Sequence, residues 1–468
     1  LLVPTALTGV CRNVFAWTDT AAQLNIAFGT HTKLQLWYDS TVYDITPSAD
    51  FTAGAADGTG GQGYGTGAYS VGDYSEPSTS DYFPLTWSLS AWGQNLIANP
   101  RGQTIFSWAN NTASVATTIT NAPDEVTYTL VAPTRQVFAL GCSAESGGAF
   151  DPLIIRHSSV GDNTEWNTAA DTTAREYRLP GGGRIVAGRV IGQNILVWTS
   201  SALWLGTYVG SLTQIWRFDK VGDQCGLIGP NAAVVVGQRA FWVGPDLQIY
   251  GYALGGQAGP VGCPVLKDFA DNLADSQGDK IVAASIGRFA EIHFHYPDSR
   301  EGNECSRYLA AHVPTLVSNP DVAWYHGVLA RTAFADAPPH PTPSYPIGVT
   351  SDGAVYWHEK GTSADGAAFS WFIETADTYL DADTNMMVRQ VWPDFKDQVG
   401  PIMVDVTTKF APQGEETTVS GSTMAPGDRK SDVRATGRLV RVKFSGNSSP
   451  TYARLGSPTF DVTPAGGR

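Results

Sequence analysis

The sequence predicts an all-β chain, an irregular β-propeller with an additional antiparallel β-sandwich-like C-terminal module. Three observations lead there. Glycine is abundant, at 50 of 468 residues, and aromatics reach 11%, while charged residues are sparse at 16% against a usual share of about a quarter. That balance suits many tight turns joining apolar strands. A short turn between two apolar runs recurs about every 40–60 residues, the repeat length of four-stranded propeller blades. Helical periodicity is nearly absent: only Leu266, Phe269, Ala270 and Leu273 fall at i, i+3, i+4 and i+7.

Taken in order, Leu34 and Leu36, then Val42 and Ile45, alternate with polar positions around a turn at 38–41, which reads as a hairpin with one buried face. From 53 to 74 no apolar period remains. Glycines dominate there, with Tyr64, Tyr69 and Tyr74 five apart, so this is a long, permissive loop. The recurrent turn follows at 91–98, 190–197, 235–242 and 285–292, centred on Gly93, Gly192, Gly237 and Gly287, with a weaker copy lacking glycine at 131–139. Each joins two apolar strands as a hairpin. A further strand comes after each one, at 104–108, 153–157, 202–208, 247–252 and 307–311, and a later one at 353–358 echoes 32–37. A ring of blades would use both ends of this region to close and hide its sheet edges.

The one helical segment, 265–277, reads as an insertion between blades, and the proline-rich run 337–346 as a stiff, extended connector. From 371 the strands lengthen and alternate more sharply, at 387–392, 402–410, 438–444 and 452–462, with Arg438, Arg441 and Lys443 implying a wet face. The expected domains are 1–370, a propeller with its Gly/Tyr-rich loop at 53–74, and 371–468.

A net charge of −14 argues against generic affinity for nucleic-acid backbone. Cys11, Cys142, Cys225, Cys263 and Cys305 are odd in number and lack a C-x-x-C pair, so buried free thiols in a protein assembled in a reducing cytosol are expected. No run of 18 apolar residues and no signal segment is present, as expected of a soluble chain. The first residue is Leu1, already in strand-like sequence, and an upstream piece is expected to have been removed or not included.

Each chemical motif has a plainer reading beside it. Residues 58–63 spell G-x-G-x-x-G, but turn residues precede them and no helix start follows, so no dinucleotide or other cofactor is expected. His293 and His295 share one face of a strand and could share a metal. A third ligand is missing, His312, His326, His340 and His358 lie in other elements, and a polar face without metal is the reading. Residues 159–166 loosely resemble the Asp-box turn of sialidase-type propellers, which is structural. The pairs Glu415 with Glu416 and Asp381 with Asp383 could serve a glycosidase as acid and base, but solvated loop charges are expected. Trp198, Trp204, Trp216 and Trp242 suit either sugar stacking or the wedges between blades. No nucleophile elbow, zinc-protease or P-loop motif occurs, so no catalytic residue is assigned.

The order of several motifs carries a family resemblance. A hairpin ending at 42–47 and the Gly/Tyr-rich loop come first, then Thr86 to Leu89 with Trp92 and Gly93, the segment 225–232, Met386 to Arg389, and the closing Gly466, Gly467 and Arg468. Over residues 6–468 this resembles the tail nozzle proteins of short-tailed bacteriophages, also described as tail tubular or packaged-DNA stabilisation proteins. Family members carry additional sequence before the equivalent of residues 5–8. The resemblance implies a structural, non-enzymatic virion tail protein assembled in the host cytoplasm. It would form a homohexameric ring below portal and adaptor, the head-to-tail connector, retaining the packaged genome and conducting it at ejection. DNA would pass without sequence recognition, a fibre or spike would dock on the flank, and this chain would insert in no membrane.

A weakly charged, net negative wall suits a conduit that must not grip DNA. The acidic loops 268–279 and 301–304 are candidate liners. Tyr64, Tyr69 and Tyr74 are expected to order their loop against a neighbouring subunit or the adaptor. Two other readings stay open: a β-propeller glycoside hydrolase or depolymerase, with a carboxylate pair in an axial pocket, and a secreted carbohydrate-binding propeller.

Overall fold

The computed structural model describes residues 2, 5–58, 83–169, 171–181, 183–211, 213–338, 340, 344–380 and 383–467. They form two compact units, Leu1–His358 and Glu359–Arg468. In the first, seven antiparallel sheets follow one another along the chain, six of four strands and the last of three. Their first strands are Cys11–Thr18, Trp87–Trp92, Val126–Ala132, Ile185–Ile191, Ala233–Val236, Val282–Ile286 and Ala333–Ala335. Each packs beside the first strand of the next sheet, and Ala333–Ala335 returns to Cys11–Thr18. The first strands therefore ring a central axis, and the remaining strands of each sheet step outward in sequence order. This is a seven-bladed propeller, numbered here from blade 1 (11–44) to blade 7 (333–357).

Local sequence explains the blades. The recurrent turn is the inner hairpin of blades 2 to 6. Gly93, Gly192 and Gly237 have φ of 63°, 58° and 60°, the conformation that the first central residue of a two-residue hairpin turn requires. The aromatic strands that come after the turns are the third strands of the same blades, and the echo between 32–37 and 353–358 arises because both sit on third strands.

Three elements differ from expectation. The helix is confined to Leu266–Asn272, where Phe269 is buried edge-on against Tyr296 at 4.9 Å. A second short helix, Val313–Ser318, carries Pro314 in its first turn, lies inside blade 6 and is too short to show an apolar period. The connector expected at 337–346, of which 337, 338, 340 and 344–346 are described, falls within a single blade, between Ala333–Ala335 and Ile347–Val349, the first two strands of blade 7.

Blade 7 is completed by the other end of the unit. The Leu2 amide donates to the Val355 carbonyl (2.7 Å) and the Leu7 amide to that of Gly353 (2.9 Å), where other blades carry a fourth strand. Leu7, Cys11, Val14 and Phe28 pack there against Ala333, Ile347, Val349 and Val355. Gly353 has φ 83°, and a Cβ on it would stand 2.5 Å from the Leu7 carbonyl oxygen.

Tryptophans fill the wedges. Trp198 of blade 4 meets Trp242 of blade 5 edge to face at 5.5 Å, and Trp216 of blade 4 meets Phe138 of blade 3 at 5.2 Å. Trp204 is buried as well. In the second unit the sheet of Trp371–Glu374, Leu439–Gly446, Met403–Lys409 and Thr417–Ser420 shares a core with the sheet of Ser431–Gly437, Thr384–Trp392 and Thr459–Gly467. Alternation turns Val440, Val442 and Phe444 inward and leaves Arg441 and Lys443 half-buried on the other face. The single strand expected over 452–462 is two, Tyr452–Leu455 and Thr459–Gly467.

Candidate functional site

Antiparallel strands put the start of a blade's first strand and the loop between its second and third strands at the same end of the propeller. Charged side chains from that end meet over the axis. Arg12, at the start of blade 1, is 1% exposed and grips Glu304 of blade 6 with two prongs, Nη1 to Oε2 at 2.6 Å and Nη2 to Oε1 at 2.7 Å. The Asn231 amide, just before blade 5, donates to the Arg12 carbonyl at 2.8 Å. Arg101 of blade 2 pairs with Asp279, just before blade 6, at 2.8 Å. In a ring of seven, blade 1 adjoins only blades 7 and 2. Contacts from blade 1 to 6, 1 to 5 and 2 to 6 therefore cross the central opening, and the network spans the axis at this end.

The same network holds both stems of the Gly/Tyr-rich excursion. The fully buried Lys280 ammonium donates to the Asp57 carboxylate, to Glu304 Oε1 (3.1 Å) and to the Asn303 carbonyl (2.7 Å). Arg12 Nη2 also donates to the Ala56 carbonyl at 2.6 Å. Gln277 clasps Gly58, accepting its N–H at 3.2 Å and donating to its carbonyl at 2.9 Å. On the returning stem, the Leu85 amide donates to the Ala55 carbonyl (2.9 Å), and Phe83 lies beneath the guanidinium groups of Arg101 (4.0 Å) and Arg184 (4.4 Å). Burial of two cations is tolerable only because both share Glu304 and have further oxygen acceptors. Tyr64, Tyr69 and Tyr74, and most of the 58–63 fingerprint, lie outside the described residues. Residues 51–57, which precede that fingerprint, form no strand.

The histidines are brought together, but not on a polar face. His293 and His295 sit in the seam between blades 6 and 7, His293 stacked on Tyr308 at 5.3 Å and His295 on Phe334 at 5.3 Å. His358 packs on the same Phe334 at 4.9 Å and accepts a hydrogen bond from Arg331 Nε at 2.8 Å. Burial in this apolar seam pushes His295 well below the ordinary imidazole range and His358 down to about 3; His157, buried between blades 3 and 4, falls to about 4. The aromatic partners on both sides explain why the pair is buried. Among the described residues, no group of three or more His, Cys, Asp or Glu is arranged to hold a metal ion.

The remaining candidates are dispersed. In the 159–166 turn, Trp166 is buried and donates to the Asn163 carbonyl at 2.8 Å, while Asp162 accepts from the Thr164 amide and hydroxyl, which locks the loop. Glu416 is held by Lys409 and Arg441, Glu415 is exposed, and Asp381 lies outside the described residues. The acidic loops are not bare: Asp268 pairs with Arg300, Asp271 with Lys267, Asp279 with Arg101, and Glu301 with Arg307. All five cysteines are free; burial pushes the thiols of Cys11, Cys142 and Cys305 up to about 12 and those of Cys225 and Cys263 up to about 11. Sequence reading missed Arg12, Lys280, Arg101, Asn231 and Gln277. Its nearest signal was the acidic run that includes Glu304.

No protein-family model and no curated protein matches the chain. Solved structures similar to it at low identity include a streptogramin B lyase (10% identity, TM-score 0.39, covering 75% of this chain and 94% of that one) and a BBS1N–ARL6DN complex (10% identity, TM-score 0.43, covering 75% and 92%).

Proposed function

We propose that this chain is a structural component of a bacteriophage tail, a subunit of a homohexameric nozzle below portal and adaptor that retains the packaged genome and conducts it at ejection. The motif order described above supports the family. The observation that carries the reading is the fastening of both stems of the 59–82 excursion, through Asp57, Gly58 and Phe83, to a buried charge network on one rigid end of the propeller. A segment held this firmly at its base suits a contact with a neighbouring copy or the adaptor, with Tyr64, Tyr69 and Tyr74 as the contact residues. Because the Arg12–Glu304 and Arg101–Asp279 pairs cross the propeller axis, DNA in this reading passes between copies, not through a propeller.

The hydrolase alternative needs two carboxylates facing each other across an open axial pocket. Glu304, Asp279 and Asp57 are instead each engaged by a cation. The deciding measurement is the mass of the purified chain by light scattering together with negative-stain images, alone and with adaptor-bearing capsids. Rings of about six, or binding at the tail vertex, are expected. A protein that stays monomeric and ignores the capsids overturns the proposal. Replacing residues 60–81 by a short Gly-Ser linker keeps the anchors and is expected to preserve the unfolding midpoint while abolishing the ring.

A further inference from the structure

A cleft of about 920 Å³ opens at the same end of the propeller, between the leading ends of blades 2, 3 and 4. Arg101 and Arg184 stand at one side of it, both over Phe83. Arg101 has its carboxylate, Asp279. Among the described residues Arg184 has none: its side chain makes no ion pair or hydrogen bond with them, and its Nε is buried without a partner among them. Burial and the neighbouring Arg101 guanidinium lower its pKa, and the Asp279 carboxylate, already paired with Arg101, only partly offsets them. A guanidinium presents five donors in a planar fork suited to carboxylate or phosphate, and leaving it half-buried and unmatched is costly. The chain delivers it there on a glycine run, with Gly181 and Gly183 at φ of 121° and 93°.

The rest of the cleft has the opposite character. Asp50, which accepts from the Thr118 hydroxyl at 2.8 Å, and the exposed Asp124 line it with Gln103, Thr104 and Thr127. Carboxylates there repel a polyanion but accept hydrogen bonds from hydroxyl groups. We propose that this cleft binds an acidic sugar, a carboxylate or phosphate group on a hydroxyl-rich body, with Arg184 taking the oxyanion and the Asp50/Asp124 side taking hydroxyls. This goes beyond the nozzle reading and depends on no ring.

Calorimetric titration of the full chain at fixed ionic strength tests it, with D-glucuronate, D-glucose 6-phosphate and D-glucose as probes. At least one acidic sugar is expected to bind with a Kd on the order of 1 mM, about tenfold tighter than glucose, and the two acidic probes separate the carboxylate from the phosphate source. Arg184→Gln is expected to weaken that binding about tenfold, whereas Arg239→Gln, on exposed blade 5 surface, leaves it unchanged. An unchanged unfolding midpoint for Arg184→Gln shows that the variant is folded. If it is not, Asp124→Asn, at an exposed position, serves instead and is expected to weaken the acidic sugar severalfold. Equal affinity for glucose and the acidic sugars, undiminished binding by the variants, or no binding of either acidic sugar overturns the proposal.

Discussion

Lys280 in the propeller and Lys409 in the C-terminal unit each hold two carboxylates and differ in what else depends on those carboxylates. The Lys280 side chain is 0% exposed and shares Glu304 with the buried Arg12. Lys409 is 12% exposed and binds Asp377 and Glu416, at 30% and 44% as a pair no more accessible than Glu304 and Asp57 at 29% and 53%, but Glu416 also meets Arg441 on a half-wet sheet face and no second buried cation depends on it. The two clusters have similar pairings, but the consequences differ. A buried pair is expensive to break because an uncompensated charge stays behind, whereas a screened surface pair contributes little. Charge in the propeller fixes which loops sit over the axis; charge in the other unit mainly keeps a face hydrated.

The largest way to break this comparison is acid. His157, His295 and His358 are all in the propeller and all held below the usual imidazole pKa by burial. The C-terminal unit has no histidine. The unfolded chain takes up these protons first, so their effect is nil above pH ~6.5 and grows as pH falls toward 4. The slope approaches about 1.4 kcal/mol per pH unit for each histidine. Urea unfolding followed by hydrogen exchange at pH 7 and pH 4.5 is expected to show the propeller losing stability faster than the C-terminal unit.

Next comes Glu304→Ala, which leaves the buried Arg12 without a carboxylate and Lys280 with Asp57 alone, and is expected to cost about 3–5 kcal/mol in chemical denaturation, with little relief from added salt. Gly353→Ala follows. A left-handed residue without room for a Cβ is expected to lose about 1–3 kcal/mol and to speed exchange of the Leu2 and Leu7 amides. Glu416→Ala is the smallest, moving the unfolding midpoint by no more than about 2 °C and by less still at high salt.

The blades were legible because a blade is a local object. Gly93, Gly192 and Gly237 each set a hairpin within a few residues of themselves, and an aromatic third strand completes the mark. The axial network was not legible. Arg12 and Glu304 lie 292 positions apart, and the ring alone brings them together. Arg12 looks like any polar residue at the start of a strand. In the C-terminal unit Phe395–Val399 and Thr417–Ser420 escaped notice because they are short and mostly exposed, so neither shows the apolar alternation by which strands are recognised.

The placement of Leu2 and Leu7 beside Val355 and Gly353 sets a schedule for synthesis. Roughly 350 residues separate the two halves of that contact, and at a synthesis rate of about 5–20 residues per second the earlier half waits roughly 20–70 s for its partner. Until then Cys11–Thr18, the first strand of blade 1, has no blade 7 against its apolar face. The nascent propeller is thus an open arc with two unguarded ends, and chaperone capture or mispairing with a neighbouring nascent chain is concentrated in that interval.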